Sequence, residues 1–319
     1  MIGAIDIGGT KVAVGAVRED GILAHHIEAP TNSGQGFEPA MEQVRRMLQE
    51  IVDACGPLAG IGIACPGPLN PFTGIIGDVG TLPGWKGGNL NDALREFGVP
   101  VAVENDADAA ALAEYSCGTG RGVGSFIYLT ISTGIGGGIV LGGQLYRGVD
   151  GAHPELGHQV IDNAGPLCYC SARGCWESLA SGTAMSAWMS EKRPDAPALS
   201  AAAICECAVH EDELAMQAVK REGYYLGLGL ANLVTLFAPD VIALGGGVMK
   251  SSHLFMDDAL KVVRNLCTQV PVEKTRITIS SLGSEAGLLG AAQSWLLRYK
   301  LHAPGSRLSH GKTGGSTTP

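Results

Sequence analysis

Residues 2–17 read IGAIDIGGTKVAVGAV: an apolar run over 2–7, a turn at Gly8–Lys11, and a second apolar run over 12–17. A strand, a Gly-Gly-Thr turn and a strand make a hairpin whose backbone N–H groups are able to surround an anionic phosphate. Asp6 stands at the end of the first strand, facing the turn, where a carboxylate is suited to hold a magnesium ion directly or through water. Taken alone, an ordinary glycine hairpin explains the stretch equally well. The pattern then recurs, because SFIYLTI at 125–131 runs into STGIGGG at 132–138 and on into IVLGGQLYRG. Two such hairpins, each opening one half of the chain, imply an internal duplication with two phosphate-facing turns opposed across a cleft. Strands follow both turns, so the Rossmann fingerprint is excluded, and Gly-Lys-Ser/Thr is absent from both, which excludes a Walker A loop.

The second half carries ELGHQVIDNAGPLCYCSARGCWE at 155–177. His158, Cys168, Cys170 and Cys175 supply one imidazole and three thiols, the ligand set of a closed tetrahedral structural zinc site. Cys-x-Cys-x4-Cys among Gly165, Pro166 and Gly174 is poor core patterning, so the metal outweighs buried free thiols or a disulfide as the explanation. The loop is therefore expected to be stapled by zinc, with Glu155 and Glu177 at its two ends as acceptors suited to hydroxyl groups. One ring nitrogen of His158 is expected on the metal, its tautomer thereby fixed, and the other toward a ligand.

Between the hairpins, apolar residues at Met41, Val44, Met47, Leu48, Ile51 and Val52 predict a helix over 37–54, and GIGIACPGP at 60–68 a buried strand and loop. Trp85 either lines the cleft or packs beneath it. At 100–118 a strand, VAVEN, runs straight into a helix starting near Asp106, placing Asn105 and Asp106 at a strand's carboxyl end, where α/β sheets face their ligands. A helix-capping role would also suit Asp106, but strand-end loops carry function often enough to favour a functional one. Asp108, further into the first turn, is expected to be solvated or to complement the helix dipole. Helices are expected over 178–192 and 212–237, and over 284–299 with Ser284 as cap; Cys205 and Cys207 are assigned to the core. PDVIALGGGVMK at 239–250 reads as strand, glycine turn and helix, the turn at Gly245–Gly247 being either a close approach to a flat ligand such as adenine or a tight corner.

At 319 residues the chain is long enough for two domains. With 45% hydrophobic and 17% charged residues it reads as a soluble globular protein, and a net charge of −9 argues against nucleic acid as a partner. No signal peptide or membrane span is visible, and nine cysteines, an odd number, fit reduced thiols and a cytoplasmic address. Residues 301–319 are expected to be a disordered tail.

IDIGGTK, GIACPGP, ENDADAA, TGIGGG, ELGH, CYCSARGCWE, ALGGG and GLLGAA together resemble the ROK family of sugar kinases and regulators over residues 1 to about 300. The resemblance implies an α/β, two-lobed actin/hexokinase-like ATPase (ribonuclease H-like) fold with a zinc-stapled loop. The lobes would be 1–117 and 118–300, the closing helix packing back on the first. It implies Asp106 as catalytic base, and Asn105, Asp106, Glu155, His158 and Glu177 as sugar ligands. Asp6, Gly8, Gly9, Thr10 and Lys11 would serve one phosphate hairpin and Thr133, Gly134, Gly136, Gly137 and Gly138 the other, with Gly245 and Gly246 at the adenosine and His158, Cys168, Cys170 and Cys175 on zinc. ATP, Mg²⁺ and structural Zn²⁺ are the expected cofactors, a hexose the acceptor at its 6-hydroxyl, and a homodimer or homotetramer the expected assembly, without nucleic acid or membrane. Glucose is the first expectation, N-acetylmannosamine, N-acetylglucosamine or broad hexose specificity the alternatives. A sugar-sensing regulator is disfavoured, since Met1 lies directly on the first strand and leaves no room for a helix-turn-helix. Four positions depart from the family pattern: Ser171 and Pro154 where glycine is usual, Thr81 where glucokinases commonly have asparagine, and Ser132 in a position often glycine.

Overall fold

In the computed structural model, which describes residues 1–300, the first hairpin forms as its alternation dictates: β1 (Ile2–Ile7) pairs antiparallel with β2 (Lys11–Val17), Asp6 opposite Ala13 and Ile7 opposite Val12. β3 (Leu23–Pro30) extends the sheet on the far side of β2. After α1 (Phe37–Cys55), β4 (Gly60–Cys65) returns parallel to β1; all six of its residues are buried, as expected of a strand covered on both faces. The short α2 (Leu90–Ala93) leads to β5 (Val101–Asn105), parallel to β4 and completing the order β3-β2-β1-β4-β5. Met41, Val44, Leu48 and Ile51 of α1 join Ile5, Ile7, Val14, Ile61 and Ile63 in one core. Each such side chain contributes about 2 kcal/mol by leaving water, so Leu48→Ala would cost about 3 kcal/mol with its cavity. Trp85 belongs to this core at 1% exposure and donates Nε1–H to the Ser33 carbonyl; it lies beneath the cleft, not along it.

α3 (Asp106–Cys117) connects to the second hairpin, β6 (Ser125–Ile131) with β7 (Ile135–Leu141), followed by β8 (Gln144–Leu145). α4 (Gly182–Lys192), α5 (Ala201–Val209) and α6 (Glu213–Phe237) come next, then β9 (Val241–Gly245), α7 (Met256–Leu266), β10 (Arg276–Ile279) and α8 (Ala286–Tyr299). β9 runs parallel to β6 and β10 parallel to β9, giving the order β10-β9-β6-β7-β8. Read from the other edge, this is the first sheet's arrangement again, so the repeat in the sequence is a repeat of two mixed five-stranded sheets.

The halves exchange their last helices. α8 packs on β1, β4 and β5 of the first sheet, α3 packs on β6 and β7 of the second, and the two helices pack on each other between the sheets. Small residues make this crossing close: α3 presents Ala109, Ala110, Ala111 and Ala113, and a Cβ at Gly290 of α8 would run into the Ala109 carbonyl. The second core, under α4 to α7, includes Cys205, with Cys207 packed against it.

Three local expectations need correction. Ser284 does not cap α8, which begins at Ala286 after a 3-10 turn over Gly283–Glu285. The buried Glu114 of α3 instead accepts the Ser281 and Leu282 amides, each at 2.7 Å, tying the approach to α8 into the helix sandwich. The Gly245–Gly247 turn leads into a 3-10 segment, Val248–Leu254, and α7 starts only at Met256. Helix α4 starts at Gly182, not at 178, because Ser181 caps it by accepting the Ala184 amide. The expected tail at 301–319 lies outside the described residues. Among the described residues no helix is long and apolar enough to cross a membrane.

Candidate active site

A cavity of about 1550 Å³ runs between the sheets, lined by Gly8 and Gly9, by Ser132, Thr133, Gly134 and Gly136, and by Asn105, Asp106, Glu155, His158 and Glu177. Single-ligand sites usually span about 300–1,000 Å³, so the space suits two substrates side by side. Asp6, Thr10, Lys11, Gly137, Gly138, Gly245 and Gly246 lie off this lining. Lys11 pairs with Glu28 of β3 at 2.7 Å, both exposed. Gly246 sits against the backbone of Ile131 at the end of β6.

The β5–α3 corner is organised by Asn105. Its Oδ1 accepts the Ala107 amide at 2.9 Å and the Asp108 amide at 3.2 Å, which makes Asn105 the helix cap. Asp106 also takes the Ala107 amide, at 2.8 Å, and remains on the cavity wall. Burial pushes its carboxyl above the ordinary range, against the opposing pull of the Ala107 amide and the His153 charge. Asp6, at the carboxyl end of β1, is pushed up to about 6 by burial and then by the negative charge of Asp106. The charge of Asp106 thus acts on a second buried acid, Asp6, which packs against Gly287 of α8.

Each glycine turn is tied down from outside. Gly8 N donates to the Lys11 carbonyl at 2.8 Å, while Thr31 Oγ1 holds the Gly8 carbonyl and Ser33 Oγ the Gly9 carbonyl. Ser132 N donates to Gly134 O, and the Ile135 amide donates to Glu177 Oε2 at 2.7 Å. Glu177 therefore sits directly behind the second turn. Thr81, against which a Cβ on Gly9 would lie 3.0 Å away, reaches the same cavity, as does Ser132.

The loop at 155–177 gathers its thiols and imidazole. One ligand atom from each of His158, Cys168, Cys170 and Cys175 lies within 4.8 Å of the others. Nδ1 of His158 is 3.6 Å from Cys168 Sγ, and the Cys170 and Cys175 sulfurs are 3.5 Å apart. A tetrahedral zinc with Zn–S of about 2.3 Å needs ligand–ligand edges of about 3.7 Å, so this donor set fits zinc with small adjustments. Nε2 of His158 does not stand free for a ligand in this state: it lies 2.9 Å from the Tyr169 hydroxyl. Ser171 has φ +74°, a left-handed conformation in which a glycine would be unstrained, the physical reason its position favours glycine.

Four residues beside the cavity escaped the sequence reading. Asp108 is not solvated but fully buried, with Oδ2 3.0 Å from His153 Nδ1; Glu104, 1% exposed, pairs with Arg147. Three acids in the five residues 104–108, at a strand–helix junction, were the available signal, since so many carboxylates at one buried corner require cations from elsewhere. His153 and Arg147, isolated in a loop, carried none.

Two duplicated mixed sheets with glycine hairpins opening on a common cleft, helices crossed between them and a Cys3His loop at the rim define the class. The chain belongs to the ROK family, whose model matches residues 2–298. Among individual relatives it is similar to the glucokinase of Thermotoga maritima, 32% identical over 302 residues that cover 90% of this chain and 95% of that one. Among solved structures it is similar to the ROK hexokinase from Thermus thermophilus, 35% identical with a TM-score of 0.84 over 92% of this chain and 97% of that one. It is also similar to a ROK family glucokinase from Streptomyces griseus in complex with glucose and AMPPNP, 30% identical with a TM-score of 0.74 over 91% and 97% of the chains.

Proposed function

We propose that the protein transfers the γ-phosphoryl group of ATP to the 6-hydroxyl of a hexose, glucose being the first candidate. One observation carries this reading: the buried Asp106 lines, from the first turn of α3, the same cavity of about 1550 Å³ as residues of both glycine turns. The solved glucokinase relative with glucose and AMPPNP supports the same pair of substrates.

Asp106 accepts the proton of the attacking hydroxyl, and its raised basicity suits that task. Asn105, Glu155 and Glu177 orient the sugar through its other hydroxyls, and His158 joins them only if its Nε2 exchanges the Tyr169 hydroxyl for one of the sugar's. The amides of the two turns that are not already bonded, at Gly9 in the first and Thr133 and Gly134 in the second, would face the phosphates, while Gly245 and Gly246, off the cavity lining, are assigned to the adenosine by the family resemblance alone. Asp6 would hold Mg²⁺ brought with the nucleotide, directly or through water, and the ion would supply neutralisation of charge on the transferred group. His158, Cys168, Cys170 and Cys175 would hold zinc, which supplies rigidity to the loop bearing both glutamates. Closure of the cleft excludes water from the phosphoryl group.

The test is ADP release with Mg-ATP against glucose, mannose, glucosamine, N-acetylglucosamine, N-acetylmannosamine and fructose, with a no-sugar control. Glucose-dependent turnover is expected, with Asp106→Asn losing about 10³-fold in kcat while sugar binding survives. Preference for an N-acetylated sugar would assign Thr81 and Ser132 to a wider specificity, absence of sugar-dependent turnover would favour a sensor, and near-normal turnover of Asp106→Asn would remove Asp106 as the base.

A further inference from the structure

Two buried ion pairs join the β5–α3 corner to the loop after β8, and the phosphoryl transfer described above uses neither. Glu104 takes Nη1 of Arg147 on Oε1 at 2.7 Å and Nη2 on its other oxygen. Asp108 Oδ2 lies 3.0 Å from His153 Nδ1 in charge contact, though not aligned as a hydrogen bond, and Asp108 Oδ1 reaches no donor. The paired acids bracket Asn105 and Asp106 in sequence, while Arg147 and His153 precede Glu155. Residues that face the cavity are thus interleaved with residues that pair behind it, and His153 itself reaches the cavity wall.

Burying an ion pair costs more than filling the same space with apolar side chains, so stability alone does not account for the Asp108–His153 contact. Its surroundings do. Three carboxylates bear on His153: Asp108 from α3, Glu155 from its own loop, and Asp106 from the cavity side. Burial disfavours the imidazolium, yet Asp108 above all holds the His153 ring above its usual pKa. The His153 charge in turn opposes the burial that pushes Asp106 up. Glu104 and Arg147 complete the corner, each adjusted by the charge of Asp108.

We propose that His153 is a positioning residue for the transfer: bridging Asp108 on α3 to the loop that ends in Glu155, it holds Asp106 and Glu155 in one geometry and opposes their charge with its own. The inference rests on the sugar-kinase reading of Asp106 and Glu155. The signs follow from the groups. Below its own pKa His153 is charged; as pH rises through that value the charge is lost, Asp108 keeps only the influence of Arg147, which is paired with Glu104, and kcat falls on an alkaline limb. Without His153, Asp106 protonates at higher pH, so the acid limb of kcat/KM moves up.

The experiment uses the full chain in four forms: wild type, His153→Gln, Asp108→Asn and the double variant. Ring-proton NMR titration is expected to show one histidine, absent in His153→Gln, that titrates above about 6.5 and drops in Asp108→Asn. Sugar-dependent turnover of His153→Gln is expected to fall 10- to 100-fold at the wild-type optimum, chiefly in kcat, on the order expected for lost orientation. Its acid limb should move upward and its alkaline limb disappear. The double variant replaces the pair by two amides and is expected to recover folding stability without recovering the pH profile. A His153 that titrates at or below about 6.5, or does not respond to Asp108→Asn, overturns the proposal. An active wild type whose pH profile His153→Gln reproduces overturns it while leaving the kinase reading intact. A wild type with no sugar-dependent turnover overturns the kinase reading first and the positioning role with it.

Discussion

The two glycine hairpins share a strand–turn–strand frame and differ in turn length, four residues against three, and in chemistry. Asp6 opposite Ala13 and Ile7 opposite Val12 in the first correspond to Thr130 opposite Gly136 and Ile131 opposite Ile135 in the second. An acid thus precedes one turn and a neutral hydroxyl the other. The first turn is braced by hydroxyls of its own half, Thr31 and Ser33; the second has an amide occupied by Glu177, which arrives from the Cys3His loop. On the proposed kinase reading, a carboxylate behind the second turn would repel phosphate from the Ile135 side, so anion contact there would fall to Thr133 and Gly134 and the remaining Glu177 oxygen would be left for a hydroxyl. Duplication supplied one frame twice, and the proposed function divides the work between the side chains around each turn: cation and base on one side, amides and sugar acceptors on the other.

The sharpest way to break this comparison is to neutralise the acid. Asp6→Asn should lower kcat about 10²-fold, roughly 3 kcal/mol of transition-state stabilisation, whereas Thr130→Val at the matching position should change it less than about 3-fold, the scale of one neutral hydrogen bond. Steady-state kinetics at saturating ATP and sugar decide the matter. Equal losses at the two positions would mean that the turns are chemically equivalent and that Asp6 holds no cation.

The duplicated frame was legible in the sequence, and the side-chain pairs around it only in part. Strand, turn and strand show in local periodicity, and the Cys-x-Cys-x4-Cys run with His158 is local too, so both hairpins and the candidate metal loop could be read directly. The β5–α3 corner was only half legible. Asn105 and Asp106 could be placed at a strand end, but that Asn105 rather than Asp106 caps α3 depends on side-chain direction, and that Asp108 is buried depends on His153, 45 positions away. The exchange of α3 and α8 between the sheets left no local trace except their alanines and glycines, because a helix–helix crossing is fixed by tertiary distance. Ser284 failed as a cap because it lies inside the 3-10 turn that precedes α8, while Glu114, from α3, fixes the approach to that turn through the Ser281 and Leu282 amides.

A smaller effect is expected from the loop that only the second half carries. The protein should bind one equivalent of zinc per chain, and its removal by a chelator, or Cys175→Ser, should raise the sugar KM about 10-fold, in line with losses of metal-site support elsewhere. Tm should fall by several degrees. KM should respond more than kcat, because the loop carries Glu155 and Glu177 but not Asp106. Metal analysis with thermal unfolding and kinetics on the same sample tests this; a metal-free protein with unchanged KM and Tm would separate the loop from the sugar site.

The smallest effect concerns a single backbone angle in that loop. Ser171 lies between the metal-ligand candidates Cys170 and Cys175 at φ +74°, donating its amide to the Cys168 carbonyl at 2.9 Å in a tight turn. A side chain in the left-handed region costs on the order of 1 kcal/mol, and glycine removes that cost while gaining chain entropy when unfolded. The two terms oppose one another, with the strain the larger at a non-Asn, non-Gly position. Ser171→Gly should therefore stabilise the protein by about 0.5–1 kcal/mol, seen as a rise in Tm of a few degrees at most, with kcat unchanged. The gain should vanish once zinc is removed, because the strain exists only while the Cys168–Cys175 turn is held closed. A gain that persists in the metal-free protein would locate the strain in the backbone of the second half itself, and the contrast with the hydroxyl-braced first turn would no longer depend on the metal.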